Sequence, residues 1–181
     1  MKTLEFRVKD IHENTFDVHE LPVSPTEIGL AVEEAQFVQP INGNIQLARR
    51  VNDVYVKADI AASIEVVCRR CTQTFESDVE AMIELQFYPA EKAEHVEPLL
   101  LDVGERYYSG ESIDLSDEVR QALLLEIPIW PLCLESCQGL CPHCGVDRNT
   151  APCGCNAPEG VVSPFAALGN LLNDSKRVVG E

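Results

Sequence analysis

The sequence contains no uninterrupted run of apolar residues long enough for a helix to cross a bilayer. Its opening stretch, MKTLEFRVKD, lacks the apolar segment that a secretory signal carries behind its basic end, so a cytoplasmic location is expected. Basic residues are scarce: 14 Lys and Arg stand against 30 Asp and Glu, a formal net charge of -16. A chain so poor in cations cannot neutralise many phosphates, which argues against bulk nucleic-acid binding and favours a basic partner or none that is charged. No Gly-rich phosphate loop, nucleophile elbow or His-Glu-x-x-His pattern occurs. His12, His19 and His95 are scattered and form no constellation, so a non-catalytic protein is expected.

What the chain does contain is cysteine. Eight thiols without an export signal do not read as disulfides, because the cytosolic thiol pool keeps ordinary pairs reduced; metal binding is the default. They fall into four close pairs: Cys68 with Cys71, Cys133 with Cys137, Cys141 with Cys144, and Cys153 with Cys155. Such spacings let two sulfurs reach one ion at about 2.3 Å, and eight thiols complete two tetrahedral sites with none left over. Zinc is expected in both, since four closed thiolates without another redox partner suit a structural d10 ion better than an iron–sulfur cluster. By distance along the chain, Cys141, Cys144, Cys153 and Cys155 form a local site, leaving Cys68, Cys71, Cys133 and Cys137 as a long-range one. The competing arrangement puts Cys133 to Cys144 on one ion and joins Cys68 and Cys71 to Cys153 and Cys155. His143 could stand in for a thiol, but eight cysteines already saturate two ions.

The sequence around these pairs predicts an α+β fold: an antiparallel sheet carrying a zinc-knuckle hairpin, one main helix and a zinc-stapled C-terminal loop. Between residues 33 and 88 apolar and polar residues alternate. The signal is clearest in Val54, Val56, Ala58, Ile60, Ala62, Ile64 and Val66, which share one strand face. Alternation resumes from Phe75 to Phe87, so CRRC at 68–71 sits at a hairpin tip. Asn42-Gly43 and, more weakly, Asn52-Asp53 are turn candidates. Residues 89–112 read as an acidic loop; between 76 and 118 thirteen acids face two bases. A helix comes next, capped by Asp114 or Ser116, with Val119, Leu123 and Ile127 on one face and Pro128 and Pro131 ending it. Weaker signals suggest a strand at Leu4 to Val8, a short helix near Pro25 to Leu30, and a terminal helix from Ser163 with Phe165, Leu168 and Leu172 as its stripe. The domains expected are a β-rich core over 1–132 and a Cys-rich module over 133–181.

Arg69 and Arg70, projecting from the turn, are candidate RNA contacts; charge balance beside a dianionic thiolate site is the plainer reading. Trp130, between Ile129 and Pro131, reads as core packing rather than a base-stacking platform. A thiol redox protein using Cys68 and Cys71 is the rival from a different class, with Arg69 and Arg70 lowering a thiol pKa. It lacks a βαβ context and leaves six cysteines unexplained. A zinc-ribbon adaptor in another complex is a third reading.

CRRC at 68, the run IPIWPLCLESCQGLCPHCGVDRN from 127, CGC at 153 and the terminal SPFAALGNLL resemble the YceD family of large ribosomal RNA subunit accumulation proteins, in order from about residue 30 to 173. The resemblance implies a role in accumulation of 23S ribosomal RNA and large-subunit assembly. The partner would be a large-subunit precursor or a basic ribosomal protein, with limited direct RNA contact. Some family members look as if they keep the hairpin pair and the pair at Cys133 and Cys137 without the other four cysteines, which favours the first ligand grouping.

Overall fold

The computed structural model describes residues 4–33, 35–91 and 104–155. The chain forms two compact units, residues 1–139 and 140–181.

The first unit is mostly sheet. Among the described residues its main sheet has six strands: β2 (Asp17–Val23), β3 (Ala35–Phe37), β4 (Ile41–Arg50), β5 (Asp53–Val67), β6 (Thr74–Pro89) and β7 (Glu105–Tyr108). The order is β2-β4-β5-β6-β7, and β3 pairs with β5. A second, two-stranded sheet joins β1 (Glu5–Arg7) to β8 (Ser112–Asp114). The helix α1 (Ser116–Glu126) packs against β6 and β5.

The long hairpin β5–β6 is the frame of the unit, and the predicted alternation sets its register. Val54, Val56, Ala58, Ile60, Ala62, Ile64 and Val66 are all buried, opposite Phe87, Leu85, Ile83, Ala81, Val79, Ser77 and Phe75. Each large apolar side chain so buried stabilises by about 1.5–3 kcal/mol, and a slip of one residue would turn the whole stripe to water. Val119 and Leu123 of α1 are fully buried in the same core, while Ile127 is half-buried beside it.

Several expectations are corrected. Asn42 and Gly43 are not a turn: both lie inside β4, and Gly43 pairs with Leu21 on one side and Ile60 on the other. Gly43 has φ +153, and a Cβ there would lie 2.1 Å from the Asp59 carbonyl oxygen, so glycine serves a close strand approach rather than a reversal. The β4–β5 loop is Val51-Asn52, one residue earlier than expected, with Val51 at φ +60. The span 89–112 is not wholly loop, because β7 and the start of β8 lie in it; β7 pairs with β6 in parallel, so the sheet is mixed. Residues 92–103 of that span lie outside the described residues. The residue at the helix N-cap is Leu115, which has no capping side chain; Asp114 instead accepts from the Ser116 N–H at 2.9 Å and from its hydroxyl at 2.5 Å. Pro25–Ile28 forms a 3-10 helix, and the expected terminal helix from Ser163 lies outside the described residues.

Among the described residues no helix is long and apolar enough to cross a membrane.

Candidate metal centres

In the first unit, β5 ends at Val67 and β6 begins at Thr74, so Cys68 to Gln73 make the reversal. The Cys68 N–H donates to the Gln73 carbonyl at 2.9 Å and the Thr72 N–H to the Cys68 carbonyl at 3.0 Å. This closure requires φ +60 at Thr72 and aims the Arg70 N–H at the Cys68 sulfur, 3.4 Å away. After α1, the chain returns along this turn: the Arg69 N–H donates to the Pro131 carbonyl at 2.9 Å. The Arg70 guanidinium then donates to the carbonyls of Glu135 and Cys137, at 3.2 and 2.9 Å. Gly139 passes so close to Arg70 that a Cβ would sit 2.8 Å from its carbonyl oxygen.

These contacts bring Cys68, Cys71, Cys133 and Cys137 together, with their sulfurs all within 4.8 Å of one another. The Cys68–Cys137 and Cys71–Cys133 sulfur separations are 3.9 and 3.6 Å. A disulfide needs about 2.05 Å. Four sulfurs at about 2.3 Å from a central ion lie about 3.8 Å apart in tetrahedral geometry, so the group has the dimensions of a closed four-thiolate site. Cys68, Cys71 and Cys137 are buried and Cys133 is half-buried. Burial opposes ionisation of Cys68, but the backbone N–H groups of Cys133, Cys71 and Arg70 prevail and pull its pKa down to about 6. Cys133 goes the other way, pushed up to about 12 by burial and then by the sulfurs of Cys71, Cys137 and Cys68. The Gln73 N–H draws the Cys71 thiol down, yet burial and the Cys68 sulfur carry it upward. Four thiolates this close repel one another, and a cation among them would relieve that repulsion.

The second unit contains the other group. Cys141-Pro142-His143-Cys144-Gly145 closes as the first turn does: the Cys141 N–H donates to the Val146 carbonyl at 2.8 Å and the Gly145 N–H to the Cys141 carbonyl at 2.9 Å. Gly145 takes φ +74, which a glycine adopts freely. Asp147 organises the next turn, its carboxylate accepting from the Asn149 N–H and side-chain amide at 2.9 and 2.7 Å. The Arg148 guanidinium thereby faces the Cys141 sulfur at 3.8 Å, and the Cys141 and Cys153 sulfurs raise its pKa. Cys141, Cys144, Cys153 and Cys155 again lie with all sulfurs within 4.8 Å. Backbone N–H groups of Cys144 and His143 pull Cys141 down to about 5, and the Cys144 sulfur, followed by burial, pushes Cys155 up to about 11.

The structure thus assembles the eight cysteines into two groups of four, each able to hold a metal ion and each confined to one unit. His143 is exposed and belongs to neither group. Arg69 and Arg70 are both exposed, but Arg70 is engaged by two carbonyls. Trp130 is 66% exposed, so the core reading is corrected: prolines on both sides carry it past the end of α1 and off the core. Sequence reasoning missed Arg148 as a sulfur neighbour and Thr72 as a constrained position. The second was detectable by setting CRRCT beside CPHCG.

The sequence profile of the large ribosomal RNA subunit accumulation protein YceD matches residues 56–172, a span that contains all eight cysteines. The chain belongs to the YceD family. Similar proteins include uncharacterized proteins of Mycobacterium bovis and Mycobacterium tuberculosis, each 30% identical over 138 residues, which is 76% of this chain. The chain spans 65% of the length of those relatives. A chloroplastic large ribosomal RNA subunit accumulation protein YCED homolog 1 of Arabidopsis thaliana is 34% identical over 68 residues, 38% of this chain and 21% of its own length. No solved structure matches the chain.

Proposed function

We propose that this chain is a non-catalytic zinc-binding factor of ribosome biogenesis that supports accumulation of 23S ribosomal RNA and assembly of the large subunit in the cytoplasm. The observation that carries the reading is the YceD match, which extends over both cysteine groups. Zinc suits both groups in donor type, number and spacing. Cys68, Cys71, Cys133 and Cys137 would hold one ion on a zinc knuckle, and Cys141, Cys144, Cys153 and Cys155 the other. A bound zinc supplies cross-linking free energy, on the order of 10 kcal/mol, rather than reactivity, because four thiolates leave no coordination position for water or substrate. Each ion therefore holds its own unit in shape.

Charge supports a basic partner. The outward positions of β5 and β6 carry Asp59, Glu65, Glu76, Asp78, Glu80 and Glu84, all exposed, against Lys57, which Glu84 already meets at 2.8 Å. Glu65 stands directly opposite Glu76, an arrangement that costs stability in a free sheet. Such a face suits a basic ribosomal protein or a precursor particle presenting one, with Arg69 an exposed cation on the hairpin turn for a limited RNA contact.

Affinity purification of the tagged chain tests this reading, with identification of bound protein and RNA and quantification of large-subunit ribosomal RNA in a deletion strain. Recovery of a large-subunit precursor or a basic ribosomal protein, together with reduced ribosomal RNA on deletion, is the expected result. Neither association nor any change in ribosomal RNA would sink it.

A further inference from the structure

The two cysteine groups differ in what separates their sulfurs from water. In residues 1–139, Cys68, Cys71 and Cys137 are buried, with Phe75, Leu132 and Cys133 packed against them. In residues 140–181, Cys141 is buried, but Cys144 and Cys155 are exposed and Cys153 is half-buried. Among the described residues of this second unit, none but Cys141 is a buried apolar residue and none joins a hydrophobic cluster. Its described part, residues 140–155, contains no helix or strand beyond the isolated bridge of Leu140 with Asp147. What fixes it is the hydrogen bonding around Cys141 and Asp147, together with whatever joins the four sulfurs.

The geometry points to the second group as a redox-sensitive metal site, entered at Cys144 by hydrogen peroxide or a comparable two-electron oxidant, beside a first group that the same oxidant leaves intact. This rests on the reading that both groups hold zinc. Thiolate reactivity requires access as well as charge, and of the eight cysteines only Cys144 and Cys155, both in the second group, are exposed residues. The Cys144 sulfur attacks peroxide: an S–O bond forms as the O–O bond breaks, giving a sulfenic acid, and the departing hydroxide takes up a proton to become water. A second thiolate of the same four, within 4.8 Å, then attacks the sulfenic sulfur, forming an S–S bond and releasing hydroxide. Two thiolates have given two electrons to the peroxide. The two cysteines that remain are too few for a closed site, so residues 140–155 lose their fastening, whereas the first unit keeps both its sulfurs and its apolar core. A dithiol reductant reverses the step.

The test uses the full chain purified with its metal. Hydrogen peroxide is added in increments while zinc release is followed with a chromophoric chelator, and disulfides and dimedone-trapped sulfenic acids are mapped by mass spectrometry. One equivalent of zinc is expected to be released at least about tenfold faster than the other. Modification should be confined at first to the peptide carrying Cys141 to Cys155, and reduction with added zinc should restore two ions. Release of both ions at one rate, or first modification at Cys68 or Cys71, overturns the inference and leaves the zinc reading standing. A purified chain that contains no metal overturns both.

Discussion

Thr72 and Gly145 occupy the same place in two separate turns. Each comes directly after the second cysteine of a Cys-x-x-Cys pair, each donates its N–H to the carbonyl of the first cysteine, at 3.0 and 2.9 Å, and each has positive φ, +60 and +74. The two turns are one local structure, built once with a β-branched residue where the backbone favours glycine.

Thr72→Gly is therefore expected to raise the stability of the first unit. A branched L-residue in the left-handed region costs about 1–2 kcal/mol, and the greater freedom of glycine in the unfolded chain returns part of that. A net gain of about 0.5–1 kcal/mol should appear as a higher urea midpoint of the metal-saturated protein with an unchanged slope. A lower midpoint would mean that the threonine side chain contributes more than its backbone costs.

Cys71→Ser and Cys141→Ser should each lower the metal content from two ions per chain to one. Each group is complete within its own unit, so loss of one is expected to leave the other able to hold its ion. Elemental analysis against protein concentration reads the result. If Cys71→Ser removed both ions, the groups would not be independent.

Gly43→Ala is expected to destabilise the sheet by about 2–4 kcal/mol, since a methyl group would meet the Asp59 carbonyl oxygen at 2.1 Å and the backbone would have to shift. Circular dichroism during urea unfolding measures it. A loss under about 1 kcal/mol would show that β4 and β5 part there without difficulty.

Val51→Gly should stabilise by about 0.5–1 kcal/mol. Val51 is 67% exposed and has φ +60 at the first position of a two-residue hairpin loop, where glycine is favoured, so little packing is lost. Thermal unfolding should show a higher midpoint; a lower one would indicate that the loop relies on the valine side chain.

Arg70→Ala should cost about 1–3 kcal/mol, because the guanidinium donates to the carbonyls of Glu135 and Cys137, while Arg69→Ala should stay within about 0.5 kcal/mol. Arg69→Ala is expected to weaken binding of ribosomal RNA fragments without unfolding the turn. Filter binding with ribosomal RNA fragments and urea unfolding separate the two effects.

The legible parts of this molecule are those with a short repeat in sequence. The β5 stripe from Val54 to Val66 can be read because period two has one structural meaning over seven apolar positions. The grouping of the cysteines can be read because each close pair brings two sulfurs to one place, and the pairs then combine into two groups of four. What escapes are features set by distant backbone. Gly43 beside Asn42 has the composition of a turn, and only the neighbouring strand makes it a crossing point. Strand β7 is short, and half-buried throughout, so it carries no periodic signal; its parallel pairing with Gln86 to Pro89 is a tertiary fact. Trp130 misleads because bulk suggests burial, while the prolines around it direct the chain outward.

Sulfur partners in the first group stand 69 and 62 residues apart, whereas those in the second lie within a stretch of fifteen. The second group needs only its own short segment to bring its four sulfurs together. The first needs the chain to pass through β6, β7, β8 and α1 and come back to Arg69. A polypeptide ending before Cys133 would carry Cys68 and Cys71 without the other two sulfurs of their group.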